Sequence, residues 1–220
     1  MNNGKQKGNT RRMTGLAIFT AIIVVLQVLC TFVRFGPFSI TLALAPIIIA
    51  TAIYGKGAGA YLGGVFGLVV LITGLLGWDG GTVMLLMSIN PVACILICIV
   101  KGAAAGFLAG LCYEAIAKKN DKTAVIVSGI VCPVVNTGLF ILGMLVFFFD
   151  TISGWAGGQN MLLYIIVGLT GVNFLVELGV NVLLAAGIER IIRAGKKCIE
   201  VLIHDIDDRC RKYKRCSWLC

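Results

Sequence analysis

The sequence predicts an all-α membrane protein with six transmembrane helices and both termini in the cytoplasm, and three observations carry that reading. Hydrophobic residues make up 59% of the 220 and charged residues only 13%, against roughly 25% charged in an ordinary soluble domain. Mean hydropathy is +0.97, which excludes a water-soluble fold and a disordered chain alike. The positive charge gathers at the chain ends and in alternate loops, as one cytoplasmic membrane face requires.

A spanning helix needs about 20 mostly apolar residues, and Met13 to Val33 is the first such run, led by Arg11 and Arg12. Arg34, Phe35, Gly36 and Pro37 end it in a short loop. The second run, Ile40 to Tyr54, is short and contains Pro46, so it reads as a shortened or kinked helix. Gly55, Lys56 and Gly57 form a tight turn into a third helix over Ala58 to Leu76. The fourth covers Val92 to Ala117, the fifth Ala124 to Phe149 and the sixth Leu162 to Ile192. The chain thus divides into a basic N-terminus (1–12), a membrane domain (13–192) and a basic, Cys-containing tail (193–220).

Orientation follows the lysines and arginines. Lys5, Lys7, Arg11 and Arg12, then Lys56, then Lys118, Lys119 and Lys122, then the tail fall on one side, and only Arg34 on the other. The formal charge of +9 therefore points to a cytoplasmic face of the cell membrane rather than to nucleic acid, for which no recognition motif is present. Cys30, Cys94, Cys98, Cys112 and Cys132 lie in apolar runs, where cysteine acts as a small hydrophobe. Cys198, Cys210, Cys216, Cys220 and His204 lack paired metal-ligand spacing and read as a reduced tail, so no metal is expected.

Two glycine ladders stand out: Gly59, Gly63 and Gly67 on the third helix and Gly102, Gly106 and Gly110 on the fourth. Four-residue spacing puts each set on one face, either for close helix packing or as a sliding surface for a partner protein. Enzyme signatures fail. No phosphate loop exists around Lys56, and the single histidine removes Ser-His hydrolases and H-E-x-x-H metalloproteases. Neither catalytic residues nor a cofactor is expected in this chain.

Ionisable groups within a bilayer are functional candidates because leaving them unpaired is costly. Lys101 lies about ten residues into the fourth helix, roughly 15 Å deep. Asn173, Glu177 and Asn181 recur every four residues on the sixth, and Asn136 adds an amide to the fifth. Lys101 and Glu177 either neutralise each other structurally or line a cavity open to the outside. Arg34, Trp78, Asp79, Asn90 and Trp155 in the outer loops favour a solute arriving from that side, although the tryptophans also suit an interfacial belt.

Five stretches carry a family resemblance: RMTGLAIFTA over residues 12–21, FGPFSITL over 35–42, YGKGAGAYLGGVFG over 54–67, SINP over 88–91 and NFLVELGVN over 173–181. Together they resemble the substrate-binding S components of energy-coupling factor (ECF) vitamin transporters, across residues 10 to 195. The resemblance implies capture of a vitamin or related micronutrient from outside. It also implies docking on a transmembrane T component that carries two ATPase subunits, which hydrolyse the ATP. It implies that Ala17 and Ala21 form the small-residue motif that meets the T component. It places the substrate site among Arg34, Trp78, Asn90, Lys101, Asn136 and Trp155, with Asn173 and Glu177 deeper, and the overall pattern is similar to the pantothenate branch. The competing reading is a self-sufficient secondary transporter or channel with Lys101 and Glu177 as an ion or proton relay. No internal repeat between 1–110 and 111–220 supports it.

Overall fold

A computed structural model describes residues 3–32, 34–35, 38–39, 41–158, 160, 164, 174–181 and 187 of the chain. Its elements are α1 (Asn3–Thr31), β1 (Arg34–Phe35), β2 (Phe38–Ser39), α2 (Leu44–Tyr54), α3 (Lys56–Leu75), α4 (Thr82–Ile89), α5 (Pro91–Ile116), α6 (Asp121–Phe147) and α7 (Phe149–Ala156). Residues 174–181 are also helical. The fold is all-α save for the β1–β2 hairpin, in which Arg34 faces Ser39 and Phe35 faces Phe38. Four described helices are long and apolar enough to span a bilayer, namely Arg12–Thr31 within α1, then α3, α5 and α6. Most of the predicted sixth helix lies outside the described residues.

Several boundaries differ from expectation, each for a physical reason. α1 begins at Asn3, ahead of Met13, because its polar first turns continue the backbone ladder beyond the apolar span. α2 is 11 residues long, about 16 Å at ~1.5 Å per residue, too short to cross. Pro46 does not kink it. Pro46 stands in the first turn, where the missing N–H has no intrahelical acceptor to lose. The turn after it is narrower than expected: Gly55 alone reverses the chain with φ 87°, and Lys56 already belongs to α3.

The segments predicted as outer loops hold two further helices. α4 starts after three glycines of positive φ, Gly77, Gly80 and Gly81. The Asp79 carboxylate accepts from Gly81 N at 2.9 Å and Val83 N at 2.8 Å, capping the orphan donors of α4. α7 ends at Gly157, a left-handed residue suited to glycine. α6 begins with the Asn120 side chain accepting from Lys122 N at 3.0 Å, and contains Pro133.

The tightest packing joins α3 to α5 through the two glycine ladders. A Cβ on Gly59 would overlap the carbonyl of Gly106, one on Gly63 that of Gly102, and one on Gly67 that of Cys98. The converse holds for Gly102 and Gly106 against Gly63 and Gly59. The ladders therefore face each other, which overturns the reading of either as a sliding surface for a partner. Ser128 Oγ on α6 donates to the Ala109 carbonyl at 3.0 Å, tying the third long helix to this pair.

Two apolar clusters result. One joins Ile23, Leu44, Ile47, Leu62, Phe66, Ala105 and Val125, and the other joins Leu71, Val83, Ile97, Met144, Phe148 and Ile152. Large apolar side chains also cover the outside, including Val25, Leu29, Ile72, Val92 and Val146. A bilayer solvates such a surface without cost.

Candidate functional site

The inner helix faces carry the candidate site. On α6, Cys132, Asn136 and Phe140 are spaced by four residues and share one face. Lys101, half-buried on α5, places its Nζ 4.8 Å from the centroid of the Phe140 ring, a cation–π contact that joins α5 to α6. One turn along, Asn136 is buried and its Oδ1 has no hydrogen-bond partner among the described residues. The helical segment 174–181 packs on the same side of α6: Glu177 interacts electrostatically with Cys132, and the Asn181 carbonyl lies beside Gly129.

Glu177 is 5% exposed, and its Oε1 also lacks a partner among the described residues. Lys101 is within electrostatic range of Glu177, yet the two form no ion pair. The ion pair among the described residues joins Lys56 and Glu114 at 3.4 Å. Of the two readings left open, a direct Lys101–Glu177 ion pair is not formed: the lysine lies on an aromatic face, and the carboxylate has an oxygen without a partner among the described residues. A buried polar atom without a partner costs about 1–3 kcal/mol, more when charged. Such atoms inside a bundle are groups available to a ligand.

The other expected site residues are placed as follows. Asn90 caps α5: its Oδ1 accepts from Ala93 N at 3.1 Å, with Pro91 at the first helical position. Trp78 is partly exposed and its ring lies 5.6 Å from that of Phe32, at the end of the bundle away from Arg12 and Lys56. Trp155 on α7 packs with Phe140 and Tyr164 against the second apolar cluster. Arg34 sits in β1, its side chain outside the described residues, as is all of Asn173. Ala17 and Ala21 are exposed on α1, in a stripe with Met13, Val25 and Leu29 at four-residue steps.

Two residues of the interior polar set were missed from sequence. Phe140 supplies the ring that holds Lys101. Gln27 is 2% exposed within α1, with its Oε1 unpartnered among the described residues. The signal for Gln27 was the one used for Asn136, a lone amide in an apolar helix. At the opposite end, Glu114 accepts from Lys56 N at 3.1 Å, and Arg12 donates to the Tyr54 carbonyl at 3.1 Å. A cavity of about 560 Å³ opens there, lined in part by Thr51, Leu111, Tyr113, Glu114 and Lys118.

Cys30, Cys94, Cys98, Cys112 and Cys132 are free thiols. Among the described residues no cluster of three or more His, Cys, Asp or Glu could hold a metal ion. His204 and the tail cysteines lie outside the described residues.

The model of a family described as ECF transporter, substrate-specific component, matches residues 11–189. Among solved structures, ThiT from Listeria monocytogenes shares the fold with a TM-score of 0.59 at 20% identity, covering 86% of this chain and 97% of that one. No curated protein matches the sequence.

Proposed function

The chain belongs to the family of ECF transporter substrate-specific components, and on that premise we propose that it captures a vitamin or related micronutrient for import. Pantothenate is the first candidate. The solute binds from outside among the inner faces of α5, α6 and the 174–181 helix, and the chain carries no ATPase site of its own. It works with a transmembrane T component and two ATPase subunits that hydrolyse ATP, in the cell membrane, with both termini cytoplasmic. Ala17 and Ala21 meet the T component, and Arg34, Trp78, Trp155 and Asn173 complete the solute's surroundings.

The observation that carries this reading is the family match over residues 11–189. The buried oxygens of Asn136 and Glu177, unpartnered among the described residues, support it independently, since a binding subunit keeps polar groups in reserve for its ligand.

The test is thermal unfolding of the purified chain against pantothenate, folate, riboflavin, thiamin, biotin and niacin. A ligand that binds only the folded state, at 100 times its Kd, adds about 2.7 kcal/mol. A shift with one compound is expected. ATP-independent uptake by the chain alone in proteoliposomes would overturn the proposal and favour the relay transporter.

A further inference from the structure

Three groups in the interior have no matching partner among the described residues, and their order along α6 is informative. Lys101 meets the Phe140 ring but forms no ion pair with a described carboxylate. Asn136 Oδ1 and Glu177 Oε1 are acceptors that receive no hydrogen bond among the described residues, on side chains 6% and 5% exposed. At ~1.5 Å per residue, Phe140 stands about 6 Å from the level of Asn136 and about 12 Å from that of Cys132, the α6 residue on which Glu177, one turn from the Asn181 carbonyl beside Gly129, acts electrostatically. Positive charge therefore lies at one level and acceptor capacity at the next two.

The lysine does not reach across to satisfy the carboxylate. Asn136 lies between their two levels, and the ammonium rests instead over the Phe140 ring. A ligand that spans these levels completes all three groups at once. An anion alone leaves two acceptors orphaned, and a cation or neutral donor alone leaves the ammonium without a counter-charge.

We propose that the site takes a solute with two unlike ends, a carboxylate that meets Lys101 and hydroxyl or N–H donors that meet Asn136 and Glu177, roughly 6–12 Å apart. This rests on the solute-capture reading. It excludes vitamins whose polar atoms are chiefly acceptors and those without an anionic group. A site built to receive donors rejects an analogue that lacks them strongly, because its buried acceptors are then left unpaired.

The test uses the full chain in lipid nanodiscs and three probes. Pantothenate carries the carboxylate and both hydroxyls. Panthenol keeps the hydroxyls and replaces the carboxylate by a neutral alcohol. The corresponding N-acyl-β-alanine without hydroxyls keeps only the anion and the amide. Kd is measured for wild type, Lys101→Met and Glu177→Leu.

Lys101→Met is expected to weaken pantothenate at least tenfold and leave panthenol within twofold. Glu177→Leu is expected to weaken pantothenate and panthenol at least tenfold and leave the hydroxyl-free analogue within twofold. Such non-additivity is the mark of a direct contact between the deleted groups. If Glu177→Leu does not fold, Glu177→Gln is expected to show the same pattern at a threefold or greater loss. Losses that add, irrespective of which end of the probe is removed, overturn the inference. So does tight binding by wild type of a vitamin lacking either the carboxylate or the donors, which leaves the capture reading standing. Absence of binding by every vitamin, together with uptake that needs no ATPase partner, overturns the capture reading itself.

Discussion

Polar side chains inside a membrane bundle are either spent on the backbone, paired at an end, or held unpaired for a ligand. Asn90, Asn120 and Asp79 are spent: each caps a helix start. Glu114 is paired, bridging Lys56 N and Lys56 Nζ with both side chains nearly half exposed. An ion pair that wet is worth little, so the hydrogen bond that Glu114 accepts from Lys56 N dominates. Glu114→Ala is expected to cost about 1 kcal/mol, read as a lower unfolding midpoint, without altering solute affinity. On the proposed function Asn136, whose Oδ1 has no partner among the described residues, belongs to the third group and behaves oppositely. Replacing an unsatisfied buried amide by an apolar group of similar size removes a penalty, so Asn136→Leu is expected to hold or raise the apo unfolding midpoint while weakening solute binding at least fivefold. A midpoint several degrees lower would show that the amide is structural. Sequence alone singled out Asn136, Lys101 and Glu177 because charges and amides are conspicuous in apolar helices. That reading did not separate the spent from the held, although Pro91 directly after Asn90 is a helix-start signal and Asn136 stands mid-helix.

At the scale of elements, the glycine ladders were legible and the short helices were not. Four-residue spacing on two helices announces a close contact, and the structure brings Gly63 against Gly102 and Gly59 against Gly106. α4 and α7 are eight residues each, too short to establish a period, and glycines flank both, so they read as loops. Of the two readings of the Pro46 run, the shortened helix is the one found and the kink is not, because a proline's effect depends on its place in the helix, which spacing does not give. The ladders make a sharp contrast testable. Gly63→Ala forces a Cβ into the Gly102 backbone, whereas a Cβ on neighbouring Gly64 meets nothing within 4 Å. Backbone cannot swing aside as a side-chain tip can, so Gly63→Ala is expected to destabilise by about 1–3 kcal/mol. Gly64→Ala should be neutral or stabilising by up to about 1 kcal/mol through lower unfolded-state entropy. Thermal unfolding of the two variants in one detergent decides, and equal midpoints would mean the α3–α5 contact is looser than described.

The whole molecule is asymmetric in a way that bears on its partners. Half of the α3 span is buried within the chain, but only 17% of the α1 span is. α1 is thus attached along a narrow strip and presents most of its surface outward. Along that surface Ala17 and Ala21 make a shallow dip between Met13 on one side and Val25 and Leu29 on the other. Lipid gains nothing from such a dip, since it wets large and small side chains alike, but a neighbouring helix can approach its backbone closely there. The polar set that would hold solute lies elsewhere, on α5, α6 and the 174–181 helix, so on the proposed function docking and capture should be separable by mutation. Ala17→Trp or Ala21→Trp fills the dip with a bulky ring and touches none of those groups. In the assembled transporter either change is expected to lower uptake at least tenfold, while the isolated chain keeps its solute Kd within twofold. Paired measurements on one preparation, uptake in proteoliposomes containing the ATPase module and Kd of the purified chain, provide the check. If Kd rises in step with the loss of uptake, the stripe supports the fold of the binding site and the docking surface lies on another face.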